Sequence, residues 1–120
     1  MKMNKALLVV EPTKEAFARF ASVLKHPSKT KYKSHTIISF PSFKTLGSVI
    51  TGARLQLLAV IKNQKPSSIQ ELARMVERDF KNVYTDVKLL AEYGLIEIRV
   101  SGPRKPALPI AKYSEFLFVA

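Results

Sequence analysis

The chain has 120 residues, 47% of them apolar, with no cysteine and a formal net charge of +11. That length holds one small domain, or one with an extension, and the apolar share suffices for a packed core. The absence of thiols excludes disulfides, thiol catalysis, iron–sulfur clusters and thiolate metal sites, and the charge points to a polyanionic partner such as DNA, RNA or an anionic membrane.

The opening "MKMNKALLVVEP" holds an apolar run of five residues, Ala6–Val10, which reads as a buried strand and is too short for the apolar core of a signal peptide. No stretch approaches the ~20 apolar residues of a membrane span, so a soluble, cytoplasmic protein is expected. Thr13–Lys25 places Phe17, Phe20, Ala21 and Leu24 on one helical stripe. His26–Pro27 stops it, and the basic stretch Lys25–Lys33 reads as a loop or a phosphate-binding arm. "HTIISF" (His35–Phe40) is a strand with Ile38 and Phe40 on one face. Ser42 is a candidate N-cap for a short helix that lines up Phe43, Leu46 and Ile50. Residues 1–50 thus read as a β-α-β-α extension.

The second half changes period. "ARLQLLAVIKN" after Thr51–Gly52 gives a helix with Leu55, Leu58 and Ile61 in a stripe flanked by Leu57 and Val60, the wide apolar face of a central helix. Ser68 with Glu71 forms a capping box, and Ile69, Leu72 and Val76 follow at helical spacing. After "VERD", Asp79 can cap a third helix whose buried stripe is Phe80, Val83, Val87 and Leu90. Asp86 should point sideways, towards Arg78 or Lys88. Gly94 supplies the left-handed stop. "LIEIRV" alternates as a strand, "SGPRKPALP" is a turn, and "IAKY" and "EFLFVA" are strand-like.

Three helices with a short turn between the second and third, followed by a β-hairpin, is the winged helix-turn-helix order. The expected fold class is therefore α+β: a winged helix over 51–120 preceded by the small β-α-β-α extension. The second helix braces the third, with Ala73 permitting close crossing, and the third projects its polar side into a major groove wide enough for one helix. The groove-facing candidates are Lys81, Asn82, Tyr84, Thr85 and Lys88. Asn can pair bidentately with adenine, and Lys can donate to guanine. Lys65, Ser67 and Ser68 lie where the second helix begins, a seat for phosphate. Arg104 and Lys105 lie at the hairpin tip, where they can follow a phosphate run.

"SIQELARMVERDFKNVYTDVKLLAEYGLIEI" resembles the helix-turn-helix and following strand of MarR- and ArsR-type prokaryotic regulators. The carrying pieces are "IQELARMV" and "VYTDVKLLAEYGLIE", with the glycine before Leu-Ile. More narrowly, "RDFKNVYTDVKLLAEYGLIEI" resembles a family of small archaeal and bacterial predicted transcriptional regulators that also carry a short α/β segment ahead of the winged helix. The resemblance implies sequence-specific binding to double-stranded DNA. One departure concerns the turn: such turns often hold glycine where this chain has Glu77. Either Glu77 adopts an unfavourable backbone conformation or the turn is longer.

Nothing in the residues suggests catalysis. His26 and His35 bracket a basic loop without acidic neighbours, the carboxylates fall at caps or solvent-facing positions, and the four glycines are scattered. No enzyme activity, cofactor or metal is expected. The alternative function is a winged-helix protein-interaction adaptor, or an antitoxin-like partner that also binds its own operator. Such a partner surface would call for exposed large apolar residues on the third helix, where only Tyr84 qualifies. RNA is disfavoured because its deep, narrow major groove excludes a helix. A homodimer is expected, paired through residues 1–50, whose aromatic faces (Phe17 and Phe20; Phe40 and Phe43) exceed what so short a segment can bury. "EFLFVA" is expected to add a strand there.

Overall fold

The computed structural model of the chain describes residues 4–10, 18 and 35–119. The expected helix Thr13–Lys25 and basic loop Lys25–Lys33, with Phe17, Phe20 and His26, lie outside the described residues. In chain order the elements are β1 (Asn4–Val10), β2 (His35–Phe40), α1 (Phe43–Val49), α2 (Gly52–Gln64), α3 (Ile69–Met75), α4 (Phe80–Glu92), β3 (Ile96–Arg99), β4 (Leu108–Ala111) and β5 (Tyr113–Val119). They divide into two compact units. One contains the three-stranded sheet and most of α1, and the other is Val49–Lys112.

In the first unit the strand order is β2-β1-β5, with both outer strands parallel to β1. The register sets Leu8 against Ile38 on one side and Phe118 on the other. Ala6, Leu7, Leu8 and Val9 are all buried. A central parallel strand covered on both faces carries continuous apolar side chains, which accounts for "ALLVV". Edge strand β2 alternates instead: Ile38 and Phe40 are buried, and Thr36 and Ser39 are exposed. Phe40 is thus a core residue, which removes it from the aromatic pairing face expected of Phe40 and Phe43. Ser42 does cap α1, its hydroxyl accepting the Thr45 N–H at 3.1 Å. Only Val49 of α1 is buried. Phe43 is exposed and meets Phe118 edge to face at 6.4 Å between ring centroids, and of the expected Phe43–Leu46–Ile50 helical face only Leu46 and Ile50 are half-buried.

The winged-helix stretch was expected to run to residue 120. It ends earlier: β5 joins β1, adding to the N-terminal segment the strand expected of "EFLFVA", so the second unit is inserted in sequence between β2 and β5. In that unit α2 packs against α3, α4 and β4, α3 packs against α4, and β3 pairs antiparallel with β4. This is an α+β arrangement consistent with a winged helix. Its core contains Leu57, Leu58, Ile61, Ile69, Leu72, Ala73, Val83, Val87, Leu90, Leu95 and Ile96. The β3 edge differs from the expected alternation: Leu95 precedes the strand and is buried, and Val100 follows it and is exposed.

Two expected core positions of this unit, Leu55 and Phe80, are exposed. At ~100° per residue, Arg54, Leu57, Leu58 and Ile61 share one arc of α2, with Leu55 beyond its edge. In α4 the buried set is Val83, Asp86, Val87 and Leu90, and Phe80 falls outside it. Each buried arc therefore includes a charged residue, and the two meet. Arg54 Nε lies 3.1 Å from Asp86 Oδ1, and Arg78 Nη2 lies 2.7 Å from Asp86 Oδ2. Arg54 also donates to the Val49 carbonyl at 3.2 Å. Asp86 points to Arg78 as one of the two expected partners, not to Lys88, and it does so from a buried position.

Candidate nucleic-acid interface

Each helix of the second unit ends on a left-handed residue: Lys65 (φ 48°), Glu77 (φ 55°) and Gly94 (φ 79°). At Glu77 the N–H donates to the Arg74 carbonyl, and the next N–H, from Arg78, donates to the Ala73 carbonyl at 3.0 Å. The same pattern recurs at Gly94, whose N–H donates to the Ala91 carbonyl while the Leu95 N–H donates to that of Leu90. These paired bonds are the Schellman termination. Glu77 therefore occupies the unfavourable conformation that the sequence left as one of two options, and the α3–α4 turn stays short. Arg78 leaves that turn aimed at Asp86, which fixes how α4 starts.

The start of α3 is a capping box shifted by one residue. Ser68 Oγ accepts the Glu71 N–H at 3.0 Å, while the Glu71 carboxylate accepts the N–H of Ser67 at 2.9 Å. The carboxylate thus takes a backbone donor that a phosphate would use. Lys65 and the side chain of Ser67 are exposed, and Ser68 is half-buried. Asp79 holds the N-cap position of α4 but makes no side-chain capping bond.

All five groove-facing candidates lie on the exposed side of α4: Lys81, Asn82, Tyr84, Thr85 and Lys88. Thr85 Oγ1 donates to the Lys81 carbonyl at 3.0 Å, so its one proton is committed to its own helix. Phe80 joins this face. It is 48% exposed and Tyr84 40%, and their rings stack at 5.9 Å and 28°. Lys88 Nζ sits 5.8 Å from the Tyr84 centroid, within cation–π range. Phe80, Tyr84 and Lys88 thus form a ladder at four-residue spacing. That spacing was visible in the sequence, but Phe80 was assigned to the core. Phe80 and Tyr84 also line a hollow of about 230 Å³ with Ser68, Ile69, Gln70, Pro106 and Ala107.

Arg104 and Lys105 are exposed between β3 and β4, with the Lys105 N–H donating to the Gly102 carbonyl at 3.2 Å. Pro103 followed by Arg104 at φ 64° fits a type II turn. The Ile69 N–H donates to the Ala107 carbonyl at 3.3 Å, which ties the start of α3 to the strand that carries this turn. Among the described residues, no three His, Cys, Asp or Glu side chains group as a metal site. No described helix is long and apolar enough to cross a membrane.

The second unit is thus a winged-helix-like α+β module that presents a basic, aromatic helix face and a basic hairpin tip. The chain belongs to the HVO_A0114 family, whose model matches residues 49–116 and so begins where the second unit begins. Comparison with curated proteins and with solved structures gave no match.

Proposed function

We propose that this protein is a sequence-specific, double-stranded-DNA-binding transcriptional regulator of the winged helix-turn-helix type, related in mechanism to the MarR- and ArsR-type regulators it resembles. The observation that carries the reading is the exposed face of α4. Lys81, Asn82, Tyr84, Thr85 and Lys88 occupy it, while Val83, Val87 and Leu90 anchor the opposite side. In this reading α4 lies in the major groove, and Arg104 and Lys105 neutralise phosphates beside it. The net charge of +11 supplies long-range attraction to the duplex. The protein acts as a homodimer that pairs two half-sites, with the first unit as its interface. No cofactor, metal or catalytic group takes part.

The test is a gel-shift panel of genomic fragments, including the region upstream of the protein's own gene, repeated over a salt series. Preferred binding to a few fragments, weakening steeply with salt, supports the proposal. Binding that is indifferent to salt, or a consistent preference for RNA, refutes it.

One observation favours a second reading, a protein-interaction adaptor or antitoxin-like partner. The stacked Phe80–Tyr84 pair and its apolar hollow offer more exposed aromatic surface than Tyr84 alone. A protein that binds no fragment, but is retained by one specific protein partner through Phe80, would support that reading over DNA binding.

A further inference from the structure

We propose that α4 recognises thymine through its 5-methyl group, with Phe80, Tyr84 and the γ-methyl of Thr85 as the apolar reading surface. The inference rests on the DNA-binding reading and names the base class that the helix selects.

Three features of the face lead to it. Phe80 and Tyr84 are both substantially exposed, and their stacking presents them as one surface rather than as two mobile rings. The Thr85 hydroxyl gives its one proton to the Lys81 carbonyl, so that side chain offers a ligand its methyl and no donor. Lys81 and Lys88 lie on the same exposed side, which complements a polyanion. An apolar patch carried into the major groove by two cations meets mostly polar edges there. The thymine methyl is the one apolar group that the four base pairs display in that groove. Opposite any other base, the Phe80 ring would cover hydrogen-bonding groups that it cannot satisfy. Asn82, exposed on the opposite flank of the same helix, suits the adenine edge, so a half-site rich in A·T pairs matches both flanks.

The experiment selects binding sites for the full chain from a random-sequence duplex library. Each thymine of the selected site is then replaced by deoxyuracil, which keeps the hydrogen-bonding edge and removes only the methyl. At one or more thymines the replacement is expected to weaken binding about fourfold, the affinity equivalent of one buried methyl-sized group. Phe80→Ala is expected to bind the thymine and deoxyuracil duplexes alike. The proposal is overturned if a site is selected but tolerates deoxyuracil at every thymine, or contains no thymine at all. If no sequence is enriched, DNA recognition itself fails, and the inference with it. The base replacement leaves the protein untouched, so a folding defect in the Phe80 variant cannot mask the answer.

Discussion

Replacing Asp86 by alanine should destabilise the second unit far more than removing any surface ion pair. The carboxylate accepts from Arg54 at 3.1 Å and from Arg78 at 2.7 Å, and its side chain is only 12% exposed. Hydrogen bonds to charged groups contribute about 1.5–3 kcal/mol each, and stripping one partner from a buried ion pair costs about 3–5 kcal/mol. The arginine side chains retain 17% and 28% exposure and can partly rehydrate, which places the loss near the low end, about 3 kcal/mol. Arg78 Nη1 is already buried without a partner among the described residues, which adds to the penalty when its other nitrogen loses the carboxylate. In urea, with a slope of about 1.5 kcal/mol per molar, the midpoint of the helical circular dichroism signal should fall by about 2 M. The pair Lys5–Glu115, 3.3 Å apart but 44% and 55% exposed, is the contrast. Lys5→Ala should shift the midpoint by less than about 0.5 kcal/mol equivalent. Combining Asp86→Leu with Arg54→Met should recover only part of the loss, because it removes the uncompensated charge on α2 and fills the space with apolar atoms but leaves Arg78 without its carboxylate. An Asp86→Ala protein within about 0.5 kcal/mol of the parent would refute the reasoning and place Asp86 with the surface pairs.

Glu77→Gly should raise the thermal midpoint by the equivalent of about 0.5–1 kcal/mol, since glycine adopts the observed φ of 55° without a Cβ clash; a lower midpoint would mean that the Glu77 side chain contributes more than the strain it causes. Val83→Asp places an unpaired charge at a fully buried position and should abolish the cooperative transition of the second unit, read by loss of amide dispersion in its NMR spectrum. Asn82→Ala should lose about 1–3 kcal/mol of discrimination at one base position while leaving binding to random DNA nearly unchanged, measured by competition anisotropy. Arg104→Ala and Lys105→Ala should weaken all sequences alike and each lower the salt slope by about one unit. A change in base preference without a change in slope would make the hairpin the reading element.

The sequence alone determined the local features, because caps, breakers and strand runs are set by residues close in the chain. Ser42 and Ser68 start their helices with the expected side-chain bonds, Gly94 closes α4 in the left-handed conformation, and His35–Phe40 is a strand. The uninterrupted apolar run within β1 already signalled a buried strand. The exposed positions of Lys81, Asn82, Tyr84, Thr85 and Lys88 also followed from helical period, because a helix anchored by Val83, Val87 and Leu90 must turn them away. The tertiary structure decided what depends on residues far apart. A periodic reading counts apolar side chains and assigns charge to solvent. It therefore put Leu55 in the core and Asp86 outside it, although Arg54 and Asp86 fill the facing arcs and meet across 32 residues. Likewise, "EFLFVA" read as a strand joining the N-terminal segment, but nothing in it announces that it pairs in parallel with β1. Strand pairing joins backbone groups with no local signature, so only the folded chain could show that the second unit is inserted between two strands of the first.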